Sequence, residues 1–300
     1  MKQERISVAV LAALLTTVAF WLFKFLSVST KAAAIVPISL QGGLLSSTGP
    51  SLPALAVSAI SMLLVMAVPF VFLSLALAAV AVYGLIAPTD RTTGMAAVAV
   101  GSLVGVALVG LSYETIIVAA GAAASAYFVH GSVVDAYRKE TKWKNYKGVS
   151  HAVGRGLIVL NVFIAAASLA MVAANIDDYE ALASAEIQKG SQSVFSEDLT
   201  DEQVVALMAP SVRERYDALS DEQKQQFLTD YRALLKETTA EQPRLTDSLE
   251  RLITTYLYAT PLVVFGTLES LRSLLLVHIA GLAAVPVLRR RERFGLKIDG

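Results

Sequence analysis

Glu269 and Arg272 are the residues of this chain whose type and spacing best suit chemistry. Three positions apart on a helix, they share a face and can pair. Both interrupt a long apolar run, where ionisable groups are costly and mark a pathway or a buried contact. Three uses follow. One is a structural ion pair near the outer interface, with 266–288 as the true span. The second is a helix–helix or partner contact, and the third is a polar element in transport or catalysis. Other polar residues of the apolar runs are scattered. Asn161 has the reach to hydrogen-bond a neighbouring helix, and Lys24 can snorkel to the headgroups. Glu114 reads as a solvated carboxylate at an outer turn, and His278 as a packed or interfacial imidazole alone on its span. His130 and His151 lie far from it, so no metal-ligand spacing exists.

A second cluster is cationic. Arg138, Lys139, Lys142, Lys144 and Lys147 are interleaved with Tyr137, Trp143 and Tyr146. Beside a bilayer this combination meets anionic headgroups and the aromatic belt, so it predicts a lipid or partner contact rather than a nucleic-acid surface. The chain has no cysteine, which excludes disulfides, thiolate catalysis and cysteine-ligated metal centres. It also lacks a Walker loop, a Gly-rich dinucleotide turn, HExxH and GxSxG. No catalytic residue, metal or cofactor is expected, and the reading leans away from an enzyme.

The elements that must position these groups are membrane helices. Hydrophobic residues make up 55% of the 300 positions and charged ones 17%, with a mean hydropathy of +0.59. The apolar residues come in runs of spanning length, about 20 residues. The expectation is an all-α polytopic bundle of about six spans: 6–28, 52–87, 92–111, 113–130, 156–176 and one within 252–288. The second is one long helix bent or tilted at Pro69. The first apolar stretch is longer than a signal core and rich in bulky residues, Phe20, Trp21, Phe23 and Phe25, so it fits a retained span better than a cleaved signal. Gly101 with Gly105, and Gly121 with Ser125, place small residues four apart, the spacing by which membrane helices approach. Segment 31–50, with Pro37, Gly42, Gly43 and Pro50, reads as an extracytoplasmic loop or a re-entrant stretch.

Charge orients the bundle. Segment 177–251 carries 17 acidic against 8 basic residues, a net −9, whereas 130–155 is +4 (6 against 2) and 289–300 is +3 (5 against 2). Lys and Arg in short flanks stay cytoplasmic, so both termini are expected inside a cell membrane and 177–251 outside. That insert reads as a small helical domain before the last span. Capping boxes begin at Thr200, Ser211 and Ser220, and Phe227, Leu228, Tyr231, Leu234 and Leu235 form one stripe. The functional expectation is a non-enzymatic membrane protein whose outer domain binds or positions other proteins of an assembly. Its partners are the lipid bilayer and envelope proteins, with homo-oligomers allowed. The alternative is a solute or ion permease using Glu269, Arg272 and 31–50.

Overall fold

The computed structural model describes residues 2–26, 52–195, 201, 204–205, 208, 210–240 and 242–293. Segment 31–50 and the expected cap at Thr200 lie outside the described residues. Within them the chain is all helical: α1 Lys2–Phe25, α2 Leu52–Ile86, α3 Arg91–Val109, α4 Tyr113–Lys139, α5 Lys144–Ala174, α6 Ile176–Phe195, α7 Pro210–Asp217, α8 Asp221–Ala240, α9 Gln242–Leu271, a π turn Arg272–Leu276, and α10 Val277–Arg293. Six stretches are long and apolar enough to cross a membrane: Gln3–Phe25, Ala67–Ile86, Arg91–Val109, Tyr113–Lys139, Lys144–Ala174 and Ile253–Arg291. They mark the chain as a multi-pass membrane protein. It divides into two compact units, one of Met1–Ala32, Ile60–Ala174 and Ala259–Gly300, the other of Ala33–Ala59 and Asn175–Tyr258.

In the first unit the helices meet through small residues. A Cβ on Gly101 would collide with the backbone carbonyl of Ala13, and one on Gly105 would lie 2.5 Å from Phe20 Cβ. The α1–α3 seam is therefore a backbone contact. The Thr17 hydroxyl bridges it, 3.0 Å from both Ala13 O and Gly101 O. Between α4 and α5, a Cβ on Gly121 would sit 2.5 Å from Phe163 Cβ, and one on Gly156 would be 3.1 Å from Ser125 O. Ser125 turns its hydroxyl back to Gly121 O at 2.7 Å, so it presents little more than its carbonyl across the seam. Bulky residues of the same helices face away, among them Leu14, Phe25, Leu103 and Leu108. An apolar outer face around a small-residue interior suits a bilayer solvent.

The turns follow local chemistry. Asp90 caps α3 by accepting from Thr93 N at 3.2 Å, and the Tyr83 hydroxyl donates to its other oxygen at 2.7 Å. Gly110, at φ +110°, ends α3 in a backbone conformation that disfavours any side chain. Two residues later Ser112 and Thr115 cap α4 reciprocally. Helices α4 and α5 run well past the apolar stretches predicted as 113–130 and 156–176. Their extensions bury Val133 and Ala136 on one side and Val149, Ala152 and Val153 on the other. The basic region is thus two helix ends joined at 140–143, and inward-facing small and branched residues extend the packing beyond the uncharged run.

The second unit has its own small core. Val204, Met208 and Leu228 pack with Val212, Tyr216, Phe227 and Tyr231. The Ser220 N–H donates to Gln223 Oε1 at 3.2 Å, opening α8. Leu234, expected on the apolar stripe, is instead 57% exposed. The core around Leu228 takes the earlier part of α8 and leaves that position to solvent.

Two outcomes test this packing. Gly101→Val puts methyls against the Ala13 carbonyl and should lower the melting temperature in detergent, by about 1–3 kcal/mol in stability, whereas Gly110→Ala should cost about 1 kcal/mol through backbone strain. The Asp90 carboxyl is lowered from 3.8 to about 2, first by the Tyr83 hydrogen bond and then by that of Thr93. A depressed carboxylate contributes stability fully above its unfolded value and loses it as pH falls through the folded one. Asp90→Asn should therefore flatten the acid limb of a stability–pH curve between about pH 4 and pH 2.

Candidate functional site

The site is built where the last membrane helix departs from α-geometry. Helix α9 passes Pro261 and ends at Leu271, and Arg272–Leu276 then form a π turn, with Val277 N–H reaching back to Arg272 O. A π turn carries one residue more than an α turn and is common where helices serve a site. Two hydroxyls from other helices bind just beyond it. Ser74 Oγ, buried on α2, donates to Leu276 O at 2.7 Å, and Ser150 Oγ on α5 donates to Val277 O at 3.1 Å.

Glu269 and Arg272 lie at the entry to this turn. Glu269 Oε2 accepts from Arg272 Nε at 2.8 Å and from Nη2 at 2.7 Å. Its other oxygen accepts from Asn161 Nδ2 at 2.8 Å. Asn161 is only 2% exposed, and the two charged side chains are 24% and 23% exposed. The ion pair therefore clasps α9 to α5, and three of its hydrogen bonds are made inside the protein. A Cβ on Gly154 would meet Arg272 Nη1 at 3.6 Å, an ordinary contact, so α5 packs beside the guanidinium without requiring glycine there. The carboxylate is fully engaged by donors, the arrangement that offsets the cost of charge away from water.

His278 is not alone. Its Nδ1 is 2.5 Å from the Tyr146 hydroxyl, with the two rings nearly parallel at 9°. Helix packing brings together residues 132 apart, which no local pattern announces. Lys24 Nζ donates to Leu108 O at 3.5 Å, so it meets the C-terminal carbonyls of α3 as well as the headgroup zone. Glu114 stands in the first turn of α4.

The cationic residues Arg138, Lys139, Lys142, Lys144 and Lys147 are all exposed and gather at the α4–α5 connection. Trp143 occupies a left-handed backbone position, φ 60°, and is 74% exposed. Its carbonyl accepts the N–H groups of Tyr146 and Lys147, starting α5. Beneath it Glu140 lies 3.9 Å from Lys147 and 3.2 Å from His151. An indole ringed by cations at a helix connection suits the headgroup layer.

A buried polar residue whose packing sequence reasoning did not foresee is His130. It is buried at 1%, wedged between Gly84 and Gly94, and its Nε2 donates to Ala87 O at 3.1 Å. Among the described residues, no group of three His, Asp or Glu is placed to hold a metal ion.

If the clasp is structural, Glu269→Gln and Arg272→Gln should each lower stability by about 1–3 kcal/mol, and the double variant by less than their sum. Asn161→Ala should cost about 1 kcal/mol. Thermal melts of the three variants and the double mutant read both numbers. Compared with protein-family models, curated proteins and solved structures, the chain matches none.

Proposed function

We propose that this is a non-enzymatic membrane protein whose acidic helical segment 177–251 stands outside the cytoplasm and binds or positions other proteins of an assembly. One observation carries the reading. The charged groups of the last span are engaged with one another and with Asn161, while helices α7 and α8 expose Glu214, Asp217, Asp221, Glu222 and Asp230. A unit with its own core and an acidic surface presents complementary charge to a basic partner, which aids encounter and selectivity. The outer placement rests on the basic flanks 130–155 and 289–300, retained on the opposite side. The inward placement of both termini rests on the same charge asymmetry, and a cell membrane and an assembly partner are further parts of the proposal.

A specific feature favours a second reading. The Glu269–Arg272 pair abuts an irregular turn inside a span, and broken helices at membrane depth serve solute sites in transporters. A permease would lose flux in Glu269→Gln at unchanged stability. The assembly reading expects stability to fall instead.

Cross-linking in native membranes, followed by purification in mild detergent, tests the proposal. A partner should cross-link to 177–251 and dissociate as salt rises. Recovery of a lone protomer at low salt, or failure of external protease to cut near residue 215 in intact cells, would sink it.

A further inference from the structure

The chain carries a second polar assembly, at the end of the membrane unit where α1, α2 and α10 meet. Arg291, in the last turn of α10, is 7% exposed. Its Nη2 lies 3.7 Å from Glu4 Oε2, an ion-pair separation longer than a hydrogen bond. Its Nε and Nη1 are buried with no hydrogen-bond partner among the described residues. Arg5, the next residue after Glu4, donates from Nη2 to Ile86 O at 3.4 Å, and its Nε is likewise buried and unpartnered. Glu4 itself is 46% exposed at its side chain, far more than Arg291 at 8%. A guanidinium offers five donors in a fixed fork. Burying one with its Nε edge unused is costly unless an anion completes it.

We propose that this end is a binding site for the phosphate of an anionic phospholipid, with Arg291 as the principal ligand and Arg5 as the second. A phosphodiester has two non-bridging oxygens, which match the Nε–Nη edge of a guanidinium. Depth agrees. Arg291 follows Arg272 by 19 residues, about 28 Å along a helix at roughly 1.5 Å per residue, so the two lie near opposite faces of a bilayer core of about 30 Å. Arg289 and Arg290 beside it are exposed and lack the burial of Arg291. The lipid source, rather than free phosphate, is favoured by the outer face of α1. Ile6, Val10 and Leu14 recur every fourth residue, 61%, 51% and 58% exposed, a stripe for an acyl chain that starts beside Arg5. Glu4, 3.7 Å from Arg291 Nη2, is the carboxylate that an entering phosphate would displace. The site needs the membrane setting but not the partner-binding role of 177–251, so either can fail alone.

The test is thermal stability of the purified full chain in a neutral detergent, with added phosphatidylglycerol, phosphatidylcholine or inorganic phosphate. Phosphatidylglycerol should raise the melting temperature by several degrees and the other two should not. Arg291→Gln should abolish that response and Arg5→Gln reduce it, while Arg289→Gln, with the same charge change, should keep it. Glu4→Gln should preserve or enlarge the response, which keeps the site testable if Arg291→Gln does not fold. Equal stabilisation by inorganic phosphate, equal losses in Arg289→Gln and Arg291→Gln, or a lost response in Glu4→Gln would each overturn the proposal.

Discussion

The membrane unit depends on close approach of helix backbones. Apolar side chains gain nothing from burial when the surrounding solvent is itself apolar, so van der Waals fit and hydrogen bonds must hold the helices. Gly101 against the Ala13 carbonyl, Gly105 beneath Phe20, and Gly156 beside Ser125 O put main chains where side chains would normally stand. At that range a single threonine hydroxyl on α1 reaches a carbonyl on α3. Leu14, Phe25 and Leu103 face outward while Phe20, Leu73, Leu85, Leu157 and Leu160 fill the interior, so both faces of the unit are apolar.

The same constraint governs polar groups. Inside a bilayer core each must find a partner within the chain. The π turn meets the rule with two serines from α2 and α5, and Glu269 meets it with Arg272 and Asn161. Ser102 Oγ and Ser168 Oγ, buried without partners among the described residues, sit on tightly packed helices, where a serine serves chiefly as a small residue. His130 is a different case: Nε2 is bound to a carbonyl at the α2–α3 turn, and Nδ1 is buried and unpartnered. Polar groups in this unit are thus mostly fasteners between helices that diverge in sequence.

Hydropathy and charge reveal the all-α class, the six spans and the α3–α4 hairpin, because each is written locally in runs of apolar residues. Helix ends were less legible. The extensions of α4 and α5 bear lysines and arginines on one face while burying Val133 and Val149 on another, and mean hydropathy averages the two. The pairing of Glu269 with Arg272 is visible from spacing, but Asn161 is 108 residues from Glu269 and Ser74 is 202 from Leu276. Such contacts depend on how helices cross. The π turn itself, within Arg-Ser-Leu-Leu-Leu, has no signature at all.

One consequence of that turn concerns angular phase. An α-helix advances about 100° per residue, so the extra residue in Arg272–Leu276 offsets everything downstream by that much relative to an uninterrupted helix. Winding the same residues as an uninterrupted α-helix would swing His278 off Tyr146 and Arg291 off Glu4, whereas deleting one leucine from the turn would keep both azimuths. The irregularity thereby acts as a clocking element, setting the azimuth at which the carboxy-terminal arginines meet the first helix. A locally better-formed helix of the same length would be the wrong part for this bundle.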